Sequence, residues 1–214
     1  MYTLYFLPDA CSLATHAILH ELDLPITLIN KQDVEDFTTL NPVGTVPVLV
    51  EKEPVDQQLA GNDPTSLREG VAILLHILSK HENDLLPANG IARQRAIENM
   101  AFANATMHPA YGRLFFAEHQ LSEPEARRQV FMQAANAINK LWAVVETKLD
   151  NQPYLGGDHP SPADFMLAVY SRWGEAFQVN IQIGPNTSAM IKRVIARDSF
   201  QKALQWEADY KAAA

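Results

Sequence analysis

Every strand signal in this chain lies before residue 80, and every long apolar period after it is helical. A chain built this way cannot spread one sheet through its length. It must fold as a small α/β unit followed by a helical one. Residues 2–7 (Tyr2, Thr3, Leu4, Tyr5, Phe6, Leu7) are aromatic or apolar with one β-branched member, and Pro8 stops them, so they predict a strand. Leu13, Ala14, Ala17, Ile18 and Leu22 then recur at helical spacing, which predicts a helix from Cys11. Residues 25–29 and 46–50 predict a second and a third strand, residues 34–40 one or two helical turns, and Gly70 the start of a helix running through Leu78. The order β-α-β-α-β-(β)-α over residues 1–80 predicts a small mixed sheet. Residues 81–89 are polar and rich in turn formers and read as a linker. Residues 90–214 read as an all-helical domain, with helices over 91–116, 124–149, 162–173, 188–197 and 199–206.

Composition narrows the function class. With 47% hydrophobic and 20% charged residues among 214, the chain can bury a sizeable core and is not disordered. Its 17 basic against 25 acidic residues give a net charge of −8, which argues against nucleic acid and anionic membrane as partners. No apolar run approaches the roughly 18–20 residues that span a bilayer. One cysteine excludes an internal disulfide, and with no signal-like N-terminal stretch the expected setting is the reducing cytoplasm.

That cysteine, Cys11, stands where the first strand's turn becomes a helix, in Pro8-Asp9-Ala10-Cys11-Ser12-Leu13. Backbone N–H groups and the positive end of the helix dipole favour a thiolate there, so a thiol pKa below the free value of about 8.5 is expected. Free cysteines are also commonly buried as small hydrophobes, and position alone does not choose between the two. Asn41-Pro42-Val43-Gly44 is a turn before Val46-Pro47. A cis bond there would let Val46 present its backbone sideways to an extended peptide; an ordinary trans proline would open a strand and nothing more. Glu69-Gly70 opens the next helix, where bare N–H groups suit a ligand carboxylate and Glu69 suits an ammonium group. His16 and His20 are four apart on the first helix, but no supporting third ligand is spaced with them, and a metal site is not expected. His108 lies in a helix just before Pro109; a lone histidine there is more often a core residue than a catalyst. Ser161-Pro162-Ala163-Asp164 is capping-box chemistry with Asp in place of Glu, and reads as structural.

Together these motifs resemble the cytosolic glutathione transferases over nearly the whole chain, and the cysteine opening with His108 is most similar to the bacterial beta class. The resemblance implies an α/β thioredoxin-like N-terminal domain (1–80) that binds glutathione, the linker 81–89 and an all-α C-terminal domain (90–214). It implies a cis Val46-Pro47, and glutathione held by Ser12, Lys31, Val46, Pro47, Glu69 and Gly70. Cys11 and His108 are the implied catalytic pair, and Met107, Tyr111, Phe115 and Trp173 the implied walls of an apolar co-substrate pocket. It further implies a homodimer with active sites between the domains, glutathione as co-substrate with no other cofactor, and conjugation to small electrophiles, beside thiol–disulfide or peroxide chemistry through Cys11. The alternatives on the same fold are a non-catalytic adaptor that binds other proteins and a glutathione-dependent dehalogenase or isomerase. Three departures from the family pattern stand out: residues 51–67 are longer, residues 30–40 are shorter and leave Lys31 as the candidate cation, and Pro109 replaces the usual lysine.

Overall fold

A computed structural model describes residues 1–51 and 66–213 and divides them into two compact units. The longer stretch between the third and fourth strands falls largely at residues 52–65, outside the described residues.

The first unit comprises residues 1–83 and 196–214. Its sheet has the order β2-β1-β3-β4, from β1 (Tyr2–Phe6), β2 (Ile26–Asn30), β3 (Val48–Glu51) and β4 (Ser66–Arg68). β1 runs parallel to β2, in the register Leu4 opposite Leu28, and antiparallel to β3, with Leu4 opposite Leu49. β3 and β4 are antiparallel. Alternation along β1 puts Tyr2 and Leu4 on one face, where they pack with Leu19, Leu49, Ile73 and Ile77. Those partners come from α1 (Ser12–Glu21), β3 and α2 (Gly70–Lys80). This mixed sheet with its helices is the thioredoxin-like arrangement expected. Of the helical turns expected over residues 34–40, one forms, as 3₁₀ helix at Phe37–Thr39, and a second 3₁₀ turn, Lys31–Asp33, precedes that range. Asn30 and Asp36 cap these turns through their side chains, a local hydrogen bond that competes with α-helix.

The last helix, counted above with the helical domain, packs on the first unit instead. It runs over Asp198–Ala213, well past the expected end at residue 206. α1 is buried from Ser12 through Leu19, more than one apolar stripe against a sheet requires. The second cover comes from this C-terminal helix, whose Trp206 and Tyr210 meet Phe6 edge-on at 5.0 and 5.6 Å.

The second unit, residues 84–195, is helical throughout its regular structure: α3 (Gly90–Phe102), α4 (His108–Gln120), α5 (Pro124–Lys148), α6 (Pro162–Tyr170) and α7 (Pro185–Ile195). The C-terminal helix of the first unit is therefore α8. α3 and α4 are joined by one π-helical stretch, Ala103–Met107, in which the His108 N–H donates to the Ala103 carbonyl. Pro109 follows at once and has no N–H to continue the regular ladder. α6 is buried along its whole length and starts in a capping box: Asp164 accepts from the Ser161 N–H and hydroxyl, both at 2.7 Å, and from the Leu155 N–H at 3.0 Å. In the loop before it, a side chain at Gly156 would strike the His159 carbonyl at 2.4 Å, so glycine is required. No described helix is long and apolar enough to cross a membrane.

Candidate active site

The turn between β1 and α1 carries Cys11, the candidate reactive residue of the first unit. The Ala10 N–H closes it on the Leu7 carbonyl at 3.2 Å. The Ser12 hydroxyl, fully buried, donates to the same carbonyl at 3.2 Å and accepts from the Leu7 N–H at 3.3 Å. Ser12 was expected to touch glutathione, but its side chain is spent inside the turn. Its backbone N–H has a different role: with the N–H of Cys11 it favours the thiolate form of Cys11.

Cys11 is the N-cap of α1, as its place in the sequence predicts, yet its acidity is the reverse of the expectation. Burial pushes the thiol up to about 11, outweighing the two backbone N–H groups that favour thiolate, and the Glu69 carboxylate adds to the rise. The thiol also donates to the Val46 carbonyl at 3.3 Å, a bond that only the protonated form makes. Cys11 is thus a neutral donor at physiological pH. Alkylation tests this directly. The thiolate is scarcer than for an exposed cysteine but intrinsically more nucleophilic, and the net expectation at neutral pH is a reaction roughly twentyfold slower than that of an exposed thiol, with a midpoint near the high value. A midpoint at or below about 8.5 would reinstate the thiolate.

Val46-Pro47 is cis. Val46 lies outside β3, and its N–H makes no hydrogen bond among the described residues. The preceding turn is fixed by the buried Asn41, whose amide donates to the Thr45 carbonyl at 2.8 Å and whose oxygen accepts the Val43 N–H at 3.2 Å. Gly44 takes φ +73°, a conformation that favours glycine. Lys31, half-buried, donates to the Gly44 carbonyl at 3.0 Å, which places the candidate cation beside this turn. Glu69 is exposed and stands at φ +72°, ψ +115°, as N-cap of α2 with no side-chain cap bond. A non-glycine residue held there is strained, and such strain gathers at binding sites. Cys11, Val46-Pro47, Glu69-Gly70 and Lys31 thus all belong to the first unit, and the Cys11 sulfur meets both Val46 and the field of Glu69.

The other expected site residues belong to the second unit. His108 is half-buried and packs on the rings of Tyr170 and Trp173, at 5.2 and 5.0 Å, which also meet each other at 4.5 Å. Met107 and Tyr111 are fully buried and line the core rather than a pocket; the Tyr111 hydroxyl accepts the Trp142 N–H at 2.9 Å, and burial pushes its pKa up to about 12. Phe115 is half-buried and meets Trp173, itself nearly buried, and Phe177 edge-on at 5.7 and 5.0 Å. Phe177 continues this aromatic row to Phe131, and no sequence motif marked either. His16 and His20 face each other with Nε2 atoms 3.0 Å apart, and His16 packs on Trp206. Burial and the neighbouring His20 push His16 down to about 3. Among the described residues no group of three or more His, Cys, Asp or Glu is gathered as metal ligands would be.

Residues 102–198 match the family described as Glutathione S-transferase, C-terminal domain. Over 95% of its length the chain is 33% identical to a glutathione S-transferase of Xanthomonas campestris pv. campestris, covering 98% of that protein. The chain belongs to the glutathione S-transferase family. This transferase is also 24% identical to the disulfide-bond oxidoreductase YfcG of Escherichia coli (strain K12), over 95% of its own length and 94% of that protein's. Among solved structures it superposes on a bacterial beta class glutathione S-transferase of Sphingomonas chungbukensis with a TM-score of 0.78 and 27% identity, covering 96% of this chain and 98% of that one. Membership of the glutathione S-transferase family fits the thioredoxin-like first unit and the helical second unit alike.

Proposed function

We propose that this chain is a beta-like, cysteine-type glutathione transferase that conjugates glutathione to small electrophiles. The observation that carries the reading is the 3.3 Å bond from the Cys11 sulfur to the Val46 carbonyl. An extended tripeptide that pairs with the unbonded Val46 N–H, as an added strand would, brings its own sulfur to Cys11. Its γ-glutamyl carboxylate then reaches the N–H groups at the start of α2, and its amine reaches Glu69. Lys31 supplies a cation beside the same edge for the far carboxylate.

The raised thiol supports conjugation over disulfide exchange. When glutathione binds, the Cys11 S–H turns from the Val46 carbonyl to the glutathione sulfur and, with the N–H of Ser12, stabilises it as thiolate. The glutathione proton leaves to solvent, the thiolate forms the new C–S bond, and the leaving group departs with its electron pair. Disulfide exchange through Cys11, the reading the oxidoreductase relative favours, needs a Cys11 thiolate that burial makes scarce. It is therefore the lesser activity. A homodimer, a cytoplasmic setting and glutathione as the sole small-molecule partner beside the electrophile complete the proposal.

Retention on immobilised glutathione, followed by turnover of reduced glutathione with an electrophilic haloarene, tests it. Retention with turnover is expected. Retention without turnover would favour the adaptor, and no retention would remove glutathione from the account.

A further inference from the structure

We propose that Glu207 and Lys211 of the C-terminal helix are positioning residues for Cys11, acting through Asp9. Asp9 stands two residues before the cysteine and takes φ +59°, the left-handed conformation that L side chains rarely adopt. The turn uses the Leu7 carbonyl for the Ala10 N–H and the Ser12 hydroxyl, but the Asp9 N–H points away from it. The Glu207 carboxylate of α8 accepts that N–H at 2.9 Å. Glu207 is 2% exposed, an unusual place for a carboxylate unless it holds a specific donor. One helical turn further on, Lys211 pairs with the Asp9 carboxylate. That pair is about half exposed and contributes less. Trp206 and Tyr210, on the same face of α8, pack on Phe6 at the end of β1. One face of a helix nearly 200 residues away in sequence therefore grips the strand end, the strained residue and, through them, the segment that carries the thiol.

The consequence is specific. Releasing Asp9 lets the turn relax from its left-handed residue, and Ala10 and Cys11 move with it. The sulfur, already part-exposed, then loses the Val46 carbonyl. Removing Glu207 is thus expected to make Cys11 more reactive toward small reagents while making it worse placed for a bound tripeptide. The inference rests on the reading of Cys11 as the group that meets glutathione, but half of its test needs no glutathione.

The pH dependence of iodoacetamide alkylation of Cys11, followed by intact mass, is compared across the parent, Glu207→Ala, Glu207→Gln and Ser199→Ala. Ser199 bonds Glu21 at the other end of the α1–α8 contact, so it reports a general loosening of α8. Glu207→Ala is expected to alkylate about tenfold faster at neutral pH with a lowered midpoint, Glu207→Gln within about threefold of the parent because an acceptor is kept, and Ser199→Ala like the parent. In turnover, Glu207→Ala is expected to lose about tenfold in kcat with KM for glutathione within twofold. Unchanged alkylation in Glu207→Ala, or an equal change in Ser199→Ala, overturns the proposal. If Glu207→Ala does not fold, Lys211→Ala at its half-exposed position carries the test, with a two- to threefold rise in alkylation expected and no change overturning it. A parent without transferase activity refutes the proposed function and leaves the alkylation comparison intact.

Discussion

Asp164→Ala is expected to destabilise the helical unit by about 3–5 kcal/mol, enough to lower its melting temperature by roughly 10 °C. The carboxylate is fully buried and accepts three hydrogen bonds, from the Leu155 N–H, the Ser161 N–H and the Ser161 hydroxyl. Truncation strands all three donors inside the protein. Thermal and urea unfolding of the variant measure the loss. The same residue gives stability a pH dependence. Burial raises the Asp164 pKa to about 6, above its ordinary value of about 3.9, although the donors pull it down. A raised folded value means that the contribution is complete below about pH 4 and is lost as pH rises through 6. The gap corresponds to about 3 kcal/mol. Asp164→Asn is expected to flatten this slope between pH 4 and 7 while losing less stability than the alanine variant, since one acceptor remains.

The second large effect is on binding. Glu69→Ala is expected to weaken glutathione by about 10- to 100-fold, the loss of a charge-assisted contact worth roughly 1.5–3 kcal/mol. Alanine also carries a Cβ, so the strain of φ +72° stays and the difference reports the carboxylate alone. Because Glu69 helps to raise the Cys11 pKa, the same variant should shift the thiol's alkylation midpoint downward. Calorimetric titration with reduced glutathione measures the first effect and alkylation the second. Parent-like affinity in Glu69→Ala would mean that glutathione is not held at this helix start.

What the sequence allowed to be read divides along physical lines. Local patterns were legible: the strands, the long helices, the capping box at Ser161 and the turn before Val46-Pro47 each rest on neighbours within a few residues. Long-range outcomes were not. α8 has an apolar period like any other helix, and nothing in that period says that it turns back onto α1. The position of Cys11 at a helix start was legible, but the sign of its pKa change was not, because the burial that raises it depends on the tertiary fold. Met107 and Tyr111 sit on an apolar helical face, and such a face serves a core and a pocket equally well. Glu207 gave no signal at all. An acidic residue near the C-terminus reads as solvated, and only the returning helix brings it to Asp9.

A crystal structure of the chain with reduced glutathione tests the central claim most directly. The account predicts the tripeptide paired with the Val46 backbone, its amine at Glu69, its γ-glutamyl carboxylate on the N–H groups that open α2, and its sulfur within hydrogen-bonding distance of the Cys11 sulfur. Glutathione bound elsewhere, or bound here with its sulfur turned away from Cys11, would contradict it.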